Sequence, residues 1–161
     1  RIIFNKSDAI SYLKKNKKKF DLILLKQTIH FLPLKDIKKL LLLCMNCLNS
    51  GGRIAIFTLA TSKNEIPTFL KMKKKLNKSL KRDQKILRYI NVLYPGSISK
   101  TFSFKVKISR EKYVEMIKNR YISTLLYLSS ADICKGISEI SRKYNKTLNF
   151  KDKLICRILK K

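Results

Sequence analysis

The chain has 161 residues, a length that suits one folded domain with a sizeable core. Its hydrophobic content of 45% excludes a wholly disordered chain, and its apolar runs are too short to cross a bilayer. The remaining bulk property is a formal net charge of +28.

This charge has two possible explanations, a nucleic-acid partner and codon bias. A nucleic-acid partner is bound through many basic side chains, because they release the counterions of the phosphates. However, about 30 of the 38 basic residues are lysine, whereas arginine is the better bidentate ligand for phosphate. Ile, Asn and Lys are also abundant together, as codon bias in an AT-rich genome would produce. The composition favours codon bias over selection for a polyanion.

In chain order, residues 1–4 are β-prone, and Ser7 or Asp8 can cap a helix over residues 9–15. The continuous apolar run at 20–25 predicts a strand that is covered on both faces. A helix over 34–48 follows, and Gly51-Gly52 ends it before a second buried strand at 53–59. Strand, helix and strand in this order predict a parallel βαβ unit and an α/β fold class.

The pattern in the second half of the sequence predicts helices and two further strands. A long basic helix extends from Pro67 to Ile90, and alternating apolar side chains indicate a strand over residues 101–108. Ser109 begins a helix that we expect to continue to about Leu128. The chain then predicts a helix at 130–143 and a final strand at 153–160.

The cysteines indicate no metal site. Cys44 and Cys47 form a C-x-x-C, but no second Cys/His pair stands at zinc spacing. Cys134 and Cys156 are likewise surrounded by apolar residues in the sequence. We therefore predict four buried, reduced thiols.

Several segments resemble class I S-adenosylmethionine-dependent methyltransferases. FDLILLKQTIHFL followed by LNSGGRIAIFTL is similar to the fourth and fifth strand regions of that family, and NKSDA is similar to its third-strand exit. TFSFKVKI and KLICRIL suit the antiparallel end of its sheet. The resemblance covers nearly the whole chain and implies a Rossmann-like methyltransferase sheet with covering helices that lacks the first strands.

The resemblance also implies a domain organisation. Residues 1–161 would be the C-terminal part of a single methyltransferase domain, and residues 61–95 a helical segment on its acceptor side. The family's glycine-rich loop and its ribose-binding acidic residue would both precede Arg1. A fragment without that loop is expected to bind cofactor poorly or not at all.

By the same resemblance, five residues would contact S-adenosylmethionine. Asp8 would accept a hydrogen bond from the adenine amino group, and the backbone of Ala9 would meet a ring nitrogen. Leu25, Lys26 and Gln27 would lie beside the methionine part of the cofactor. Lys26 is unusual there, because a cation near the sulfonium is electrostatically unfavourable.

Three residues are candidates for the acceptor side. His30, the only histidine, borders the same sheet edge and could deprotonate an acceptor, although packing at the turn or a backbone hydrogen bond is the favoured explanation. Arg120 could clamp an acceptor carboxylate, and Tyr121 could line the same wall. The alternative for the last two is an ordinary packed amphipathic helix.

The resemblance thus implies a cytoplasmic enzyme that transfers a methyl group to a small molecule. Two alternatives remain open from the residues. The acceptor could be RNA, bound through the lysine-rich helix, or the chain could be a methyltransferase-like scaffold without catalytic activity.

Overall fold

The computed structural model describes residues 3–161. The helices and strands, in chain order, are α1 (Ala9–Lys15), β1 (Phe20–Lys26), a 3-10 turn (Ile29–Phe31), α2 (Leu34–Asn46), β2 (Leu48–Leu59), α3 (Leu70–Leu93), β3 (Ile98–Ser109), α4 (Arg110–Lys118), α5 (Ser123–Leu126), α6 (Ser130–Lys143) and β4 (Thr147–Lys160). The predicted α/β class is confirmed.

The strands form one sheet in the order β1-β2-β4-β3. β1 and β2 are parallel, with Ile23 opposite Ile54, and α2 connects them, so the predicted βαβ unit is confirmed. β4 is antiparallel to β2, because Lys161 N donates to Gly52 O while Ala60 N donates to Lys153 O. The sheet therefore combines a parallel pair with an antiparallel end, as the resemblance implies.

The chain divides into two compact units. The first contains residues 3–58, Lys85–Lys100 and Ile155–Lys161, and the second contains Leu59–Gln84 and Thr101–Leu154. The expectation of a single methyltransferase domain stays a prediction. The segment 61–95 contains α3, and its assignment to the acceptor side stays a prediction as well.

Each unit has its own apolar core. In the first, the buried face of α2 packs against Ile54 and Ile56 of β2, and α1 adds Leu13. Ile37, Leu40, Leu41 and Cys44 of α2 have the helical spacing that the sequence predicts. In the second, Phe69, which directly precedes α3, and Met72 of α3 pack with Tyr113 and Ile117 of α4.

Several boundary predictions are wrong. Arg1 and Ile2 lie outside the described residues, and Ile3 and Phe4 are exposed and belong to no strand. α2 already ends at Asn46, and β4 begins at residue 147 rather than 153. The helix from Ser109 ends at Lys118, and α5 is separate from it, because Arg120 has a φ of 53° that no continuous helix accepts.

Gly51 has a different role from the one predicted. It lies inside β2 with a φ of 73°, at an irregularity where Phe20 pairs with Leu48 but Leu22 pairs with Arg53. β2 therefore carries extra residues there, and a positive φ in such a bulge favours glycine. The double glycine bends a strand and does not end a helix.

The expectation that β1 is covered on both faces is wrong for the described residues. Leu22 is 59% exposed and Leu24 is 54% exposed, whereas Ile23 and Leu25 are partly buried against the first core. β1 is an edge strand of the sheet, with β2 on one side. One face of β1 and one edge are therefore open within residues 3–161.

Gly136 is a point of tight packing in the second unit. It lies within α6, and a Cβ added to it would come within 2.6 Å of the ring of Phe69. Glycine in a helix interior costs about 1 kcal/mol relative to alanine. Contact with the buried ring is the reason that a glycine stands here.

We predict that Gly136→Ala destabilises the chain by about 1–2 kcal/mol, because overpacking outweighs the gain in helix propensity. The free energy of unfolding in urea measures the effect. Gly96→Ala is the control, since a Cβ there meets nothing within 4 Å. The double variant Gly136→Ala/Phe69→Leu should recover part of the loss. Equal stability of Gly136→Ala and the parent would contradict this packing.

Candidate functional site

The turn after β1 is the most constrained backbone in the first unit. Gln27 has a φ of 56°, in the left-handed region that a non-glycine residue rarely adopts. Its N–H donates to the carbonyl of Phe57 on β2 at 2.9 Å, which holds the turn at the carboxyl end of the parallel pair. Ligands of open α/β sheets bind outside such strand ends, and strained backbone collects at functional sites.

The neighbours of Gln27 differ in exposure. Leu25 is half-buried and packs against the first core, while Lys26 is exposed and lies in register with Phe57. Gln27 itself is half-buried. The cofactor contacts expected of these three residues stay predictions, and the exposure of Lys26 leaves room for its ammonium group in solvent.

His30 lies just beyond this turn, in the 3-10 segment. Only 7% of it is exposed, and its ring centroid is 4.3 Å from that of Phe31. A buried imidazole has little access to a proton on an acceptor arriving from solvent. Packing therefore accounts for the position of His30, and its action as a general base stays a prediction.

Asp8 has a clear local role. It is the N-cap of α1, and its Oδ1 accepts a hydrogen bond from Ser11 N at 2.9 Å. The backbone hydrogen bond from Ser11 lowers the pKa of the Asp8 carboxyl below its usual value. A carboxylate has about four lone-pair positions, so the cap leaves this exposed group able to accept from an adenine amino group.

A surface cavity of about 480 Å³ adjoins this cap. It is lined by Ser7, Ser11, Tyr12, Lys15, Asn16, Lys17 and Lys18. The cavity lies beside the NKSDA segment that the resemblance assigns to adenine, but the residues predicted from sequence include only its neighbours Asp8 and Ala9. Its hydroxyl and ammonium groups offer polar contacts to a ligand.

Arg120 and Tyr121 belong to the second unit, and the carboxylate clamp expected of Arg120 is not the role that its contacts describe. The guanidinium Nη1 donates to the carbonyls of Leu125 at 2.5 Å and Leu128 at 2.7 Å. These bonds satisfy the C-terminal end of α5, where helical carbonyls lack partners. Binding of an acceptor by Arg120 stays a prediction that would have to share this group with two carbonyls.

Tyr121 is part of a tyrosine network that could not be predicted from the sequence. Its hydroxyl lies 2.9 Å from the hydroxyl of Tyr113, which also donates to Pro67 O at 2.5 Å. Although Tyr121 is 38% exposed, its hydroxyl is enclosed, and burial raises its pKa to about 12. The network connects Tyr113 and Tyr121 to Pro67, in the segment just before α3, through uncharged hydroxyl groups.

The second unit contains a small cavity at Thr61, two residues after the end of β2. It has a volume of about 210 Å³ and is lined by Thr61, Asn77, Leu80, Lys81 and Gln84. Asn77, Lys81 and Gln84 stand at i, i+4 and i+7 along α3, so they share one face of the helix. The spacing of these three polar residues is the feature of the sequence from which their grouping on one helix face could have been predicted.

The thiols are mostly buried. Cys44, Cys47 and Cys156 are free and buried, as predicted, whereas the prediction for Cys134 is wrong because it lies exposed on α6. Burial, with the nearby Cys47, raises the pKa of the Cys44 thiol to about 12. Within residues 3–161, no group of three or more His, Cys, Asp or Glu side chains is placed to hold a metal ion.

The comparisons with known proteins found solved structures only; no family model and no curated protein matches the chain. A SAM-dependent methyltransferase from Archaeoglobus fulgidus is 23% identical over 98% of this chain and 66% of its own, with a TM-score of 0.44. A candidate methyltransferase from Bacillus halodurans C-125 is 10% identical over 96% of this chain and 69% of its own, with a TM-score of 0.49.

A third similar structure is a phosphoethanolamine N-methyltransferase 2 from Haemonchus contortus, in complex with phosphomonomethylethanolamine and S-adenosylhomocysteine. It is 16% identical over 95% of this chain and 36% of its own, with a TM-score of 0.42. The chain spans about two thirds of the first two proteins and about a third of this one. All three are described as methyltransferases.

In the part of the chain that the structure describes, no helix has the length and apolar character needed to span a membrane.

We predict that Arg120→Leu destabilises the chain by about 1–3 kcal/mol, because the carbonyls of Leu125 and Leu128 lose the hydrogen bonds from the guanidinium group. Thermal and urea unfolding measure the loss. Arg142→Leu is the matched control: Arg142 is exposed and donates a longer bond of 3.4 Å to Ser138 O within its own helix. Equal effects of the two changes would contradict the structural role of Arg120.

We also predict that one thiol of four reacts rapidly with a thiol reagent at pH 8 in the folded protein. Cys134 is exposed, while burial keeps Cys44, Cys47 and Cys156 from the reagent. Cys134→Ser should remove the fast phase, and Cys156→Ser should leave it intact. A fast phase that survives Cys134→Ser would show that a buried thiol is accessible.

Proposed function

We propose that the protein transfers a methyl group from S-adenosylmethionine to a small-molecule acceptor. The observation that carries the proposal is the turn at Gln27, held by Phe57 at the carboxyl end of a parallel β1–α2–β2 unit. Gln27 is the last residue of the FDLILLKQ stretch that resembles the methyltransferase family. The combination of sequence and strand end supports a cofactor site at this edge.

The residues of the first unit can supply three functions to the cofactor. The carboxylate of Asp8 accepts a hydrogen bond from an amino group while it also caps α1. The strained turn at Gln27 offers backbone groups at the strand end, and the half-buried Leu25 offers an apolar contact. The exposed position of Lys26 permits its ammonium group to stay in water, away from a sulfonium.

When bound, S-adenosylmethionine would supply an electrophilic methyl group to an acceptor that attacks the methyl carbon in line, with S-adenosylhomocysteine as the leaving group. Positioning can then suffice for the protein's part in the reaction, since well-oriented reactants gain several kcal/mol of barrier reduction. We assign no proton transfer to His30 in this proposal, because its side chain is buried.

The small-molecule acceptor is supported by the size and polarity of the second unit's cavity, considered by itself. At about 210 Å³ it suits a group of modest size, and its hydroxyl, amide and ammonium groups suit a polar one. A methylation assay with labelled cofactor and a cell extract tests the acceptor class. Label in the low-mass fraction before nuclease treatment supports a small molecule, and label retained in intact RNA overturns it.

Cofactor binding is tested by calorimetric titration of the full-length protein with S-adenosylmethionine up to millimolar concentration. We expect Asp8→Asn to bind about tenfold more weakly, because an amide donor replaces one of the oxygens that would face the adenine amino group. Asparagine is also a good N-cap, so the helix should persist. Asp36→Asn on α2 is the control, with unchanged affinity expected.

Two outcomes would contradict the proposal in different ways. Equal affinity of Asp8→Asn and the parent would remove Asp8 from the cofactor site while keeping the enzyme. A folded full-length protein that gives no binding heat at millimolar cofactor would overturn methyl transfer and favour the scaffold role.

A further inference from the structure

The exposed side of α3 in the second unit carries a concentrated row of positive charge. We define the lysine row as Lys74, Lys78 and Lys81, which follow one another at i+4 and i+3 and are all exposed. Residues at these spacings are neighbours on one helix face. Lys71, Lys75 and Arg82 flank the row. The charges extend over about 16 Å of helix at a rise of 1.5 Å per residue.

Little in the described residues neutralises this row. The only acid of α3 is Asp83, which is buried. Lys71 pairs with Asp132, and Lys75 donates to the carbonyl of Tyr127 at 3.5 Å. No carboxylate of residues 3–161 lies within ion-pair distance of Lys74, Lys78 or Lys81.

The row carries an energetic cost within the folded chain. Like charges at i and i+4 destabilise a helix, so Lys74 beside Lys78 opposes the formation of α3. Burial of Met72, Leu76 and Leu80 on the opposite side of the helix compensates for that repulsion. A bound polyanion would remove the repulsion, because each phosphate that a lysine neutralises releases counterions.

An exposed aromatic ring lies next to these charges. Tyr127 is 74% exposed, and Lys75 Nζ lies 5.9 Å from its ring centroid. Solvent-facing tyrosine rings beside basic side chains are stacking platforms for the bases of single-stranded nucleic acid. An acidic peptide would use the lysines but would gain little from the ring.

We propose that the lysine row and Tyr127 bind the phosphate backbone and one base of single-stranded RNA. A lipid surface fits less well, because the apolar side of α3 is occupied by the core and cannot enter a bilayer. Lysines without arginine forks favour contact with phosphates over recognition of sequence. This inference does not rest on methyl transfer, and it holds whether the RNA is an acceptor or a separate partner.

The first experiment compares two triple variants with equal charge change. Lys74→Gln/Lys78→Gln/Lys81→Gln removes the row, and Lys35→Gln/Lys38→Gln/Lys39→Gln removes three exposed lysines of α2. Fluorescence anisotropy measures binding of a labelled single-stranded RNA of about 15 nucleotides, at salt from about 50 to 200 mM. Thermal unfolding checks that both variants remain folded, as exposed positions allow.

We expect removal of the row to weaken RNA binding about 100-fold at about 0.1 M salt and to reduce the slope of log K against log salt by about 2. The α2 variant should lose less than about threefold, since screening limits the effect of distant charge. Equal losses of RNA affinity in the two variants would overturn the proposal. They would show that binding depends on net charge alone, which is the result expected if the lysines reflect codon bias. An unchanged salt slope in the row variant would also overturn it.

The second experiment tests the ring. Tyr127→Leu should weaken RNA binding about tenfold, whereas Tyr12→Leu on α1 should not. Both tyrosines are exposed, so neither change should unfold the chain. Unchanged affinity of Tyr127→Leu, or equal binding of heparin and RNA by the parent, would overturn RNA as the partner and leave a surface that responds to charge alone.

Discussion

β2 is the strand on which the rest of the sheet depends. It pairs in parallel with β1 and antiparallel with β4, so it joins the parallel and antiparallel parts of the sheet. Its Ile54 and Ile56 are fully buried, and burial of such side chains contributes about 1.5–3 kcal/mol each. The same strand holds the turn at Gln27 through the carbonyl of Phe57. Packing and the candidate cofactor edge therefore depend on one strand.

Much of this arrangement could be predicted from periodicity. α1 occupies the predicted residues, and α2 buries the apolar positions that share one helical face. The bulge at Gly51 and the break at Arg120 could not be predicted in the same way, because both depend on backbone angles that no apolar pattern encodes. The solvent exposure of Leu22 and Leu24 could not be predicted either, since an apolar run in the sequence does not show which elements cover it.

The candidate site was less predictable than the fold. Asp8 and the turn at Gln27 were identified from resemblance, and each has a defined local geometry. Arg120 illustrates the difficulty, because its sequence neighbourhood fits a clamp while its hydrogen bonds go to two carbonyls. The cavity at Lys81 needs Thr61 beside α3, and the hydroxyl of Tyr113 donates to Pro67, 46 positions away in the chain. Such groups are defined by tertiary contacts, which spacing along one helix reveals only in part.

The contact between Gly136 and Phe69 constrains how this sequence can change over generations. While the ring stays in place, the Cβ of any larger residue at position 136 would meet it at 2.6 Å. A smaller residue at position 69 would release the glycine, but that step alone opens a cavity in the second core and costs several kcal/mol. A chain substituted at only one of the two positions is therefore less stable than a chain substituted at neither or at both. The two positions should change together or hardly at all, which makes the pair a marker of descent in related chains.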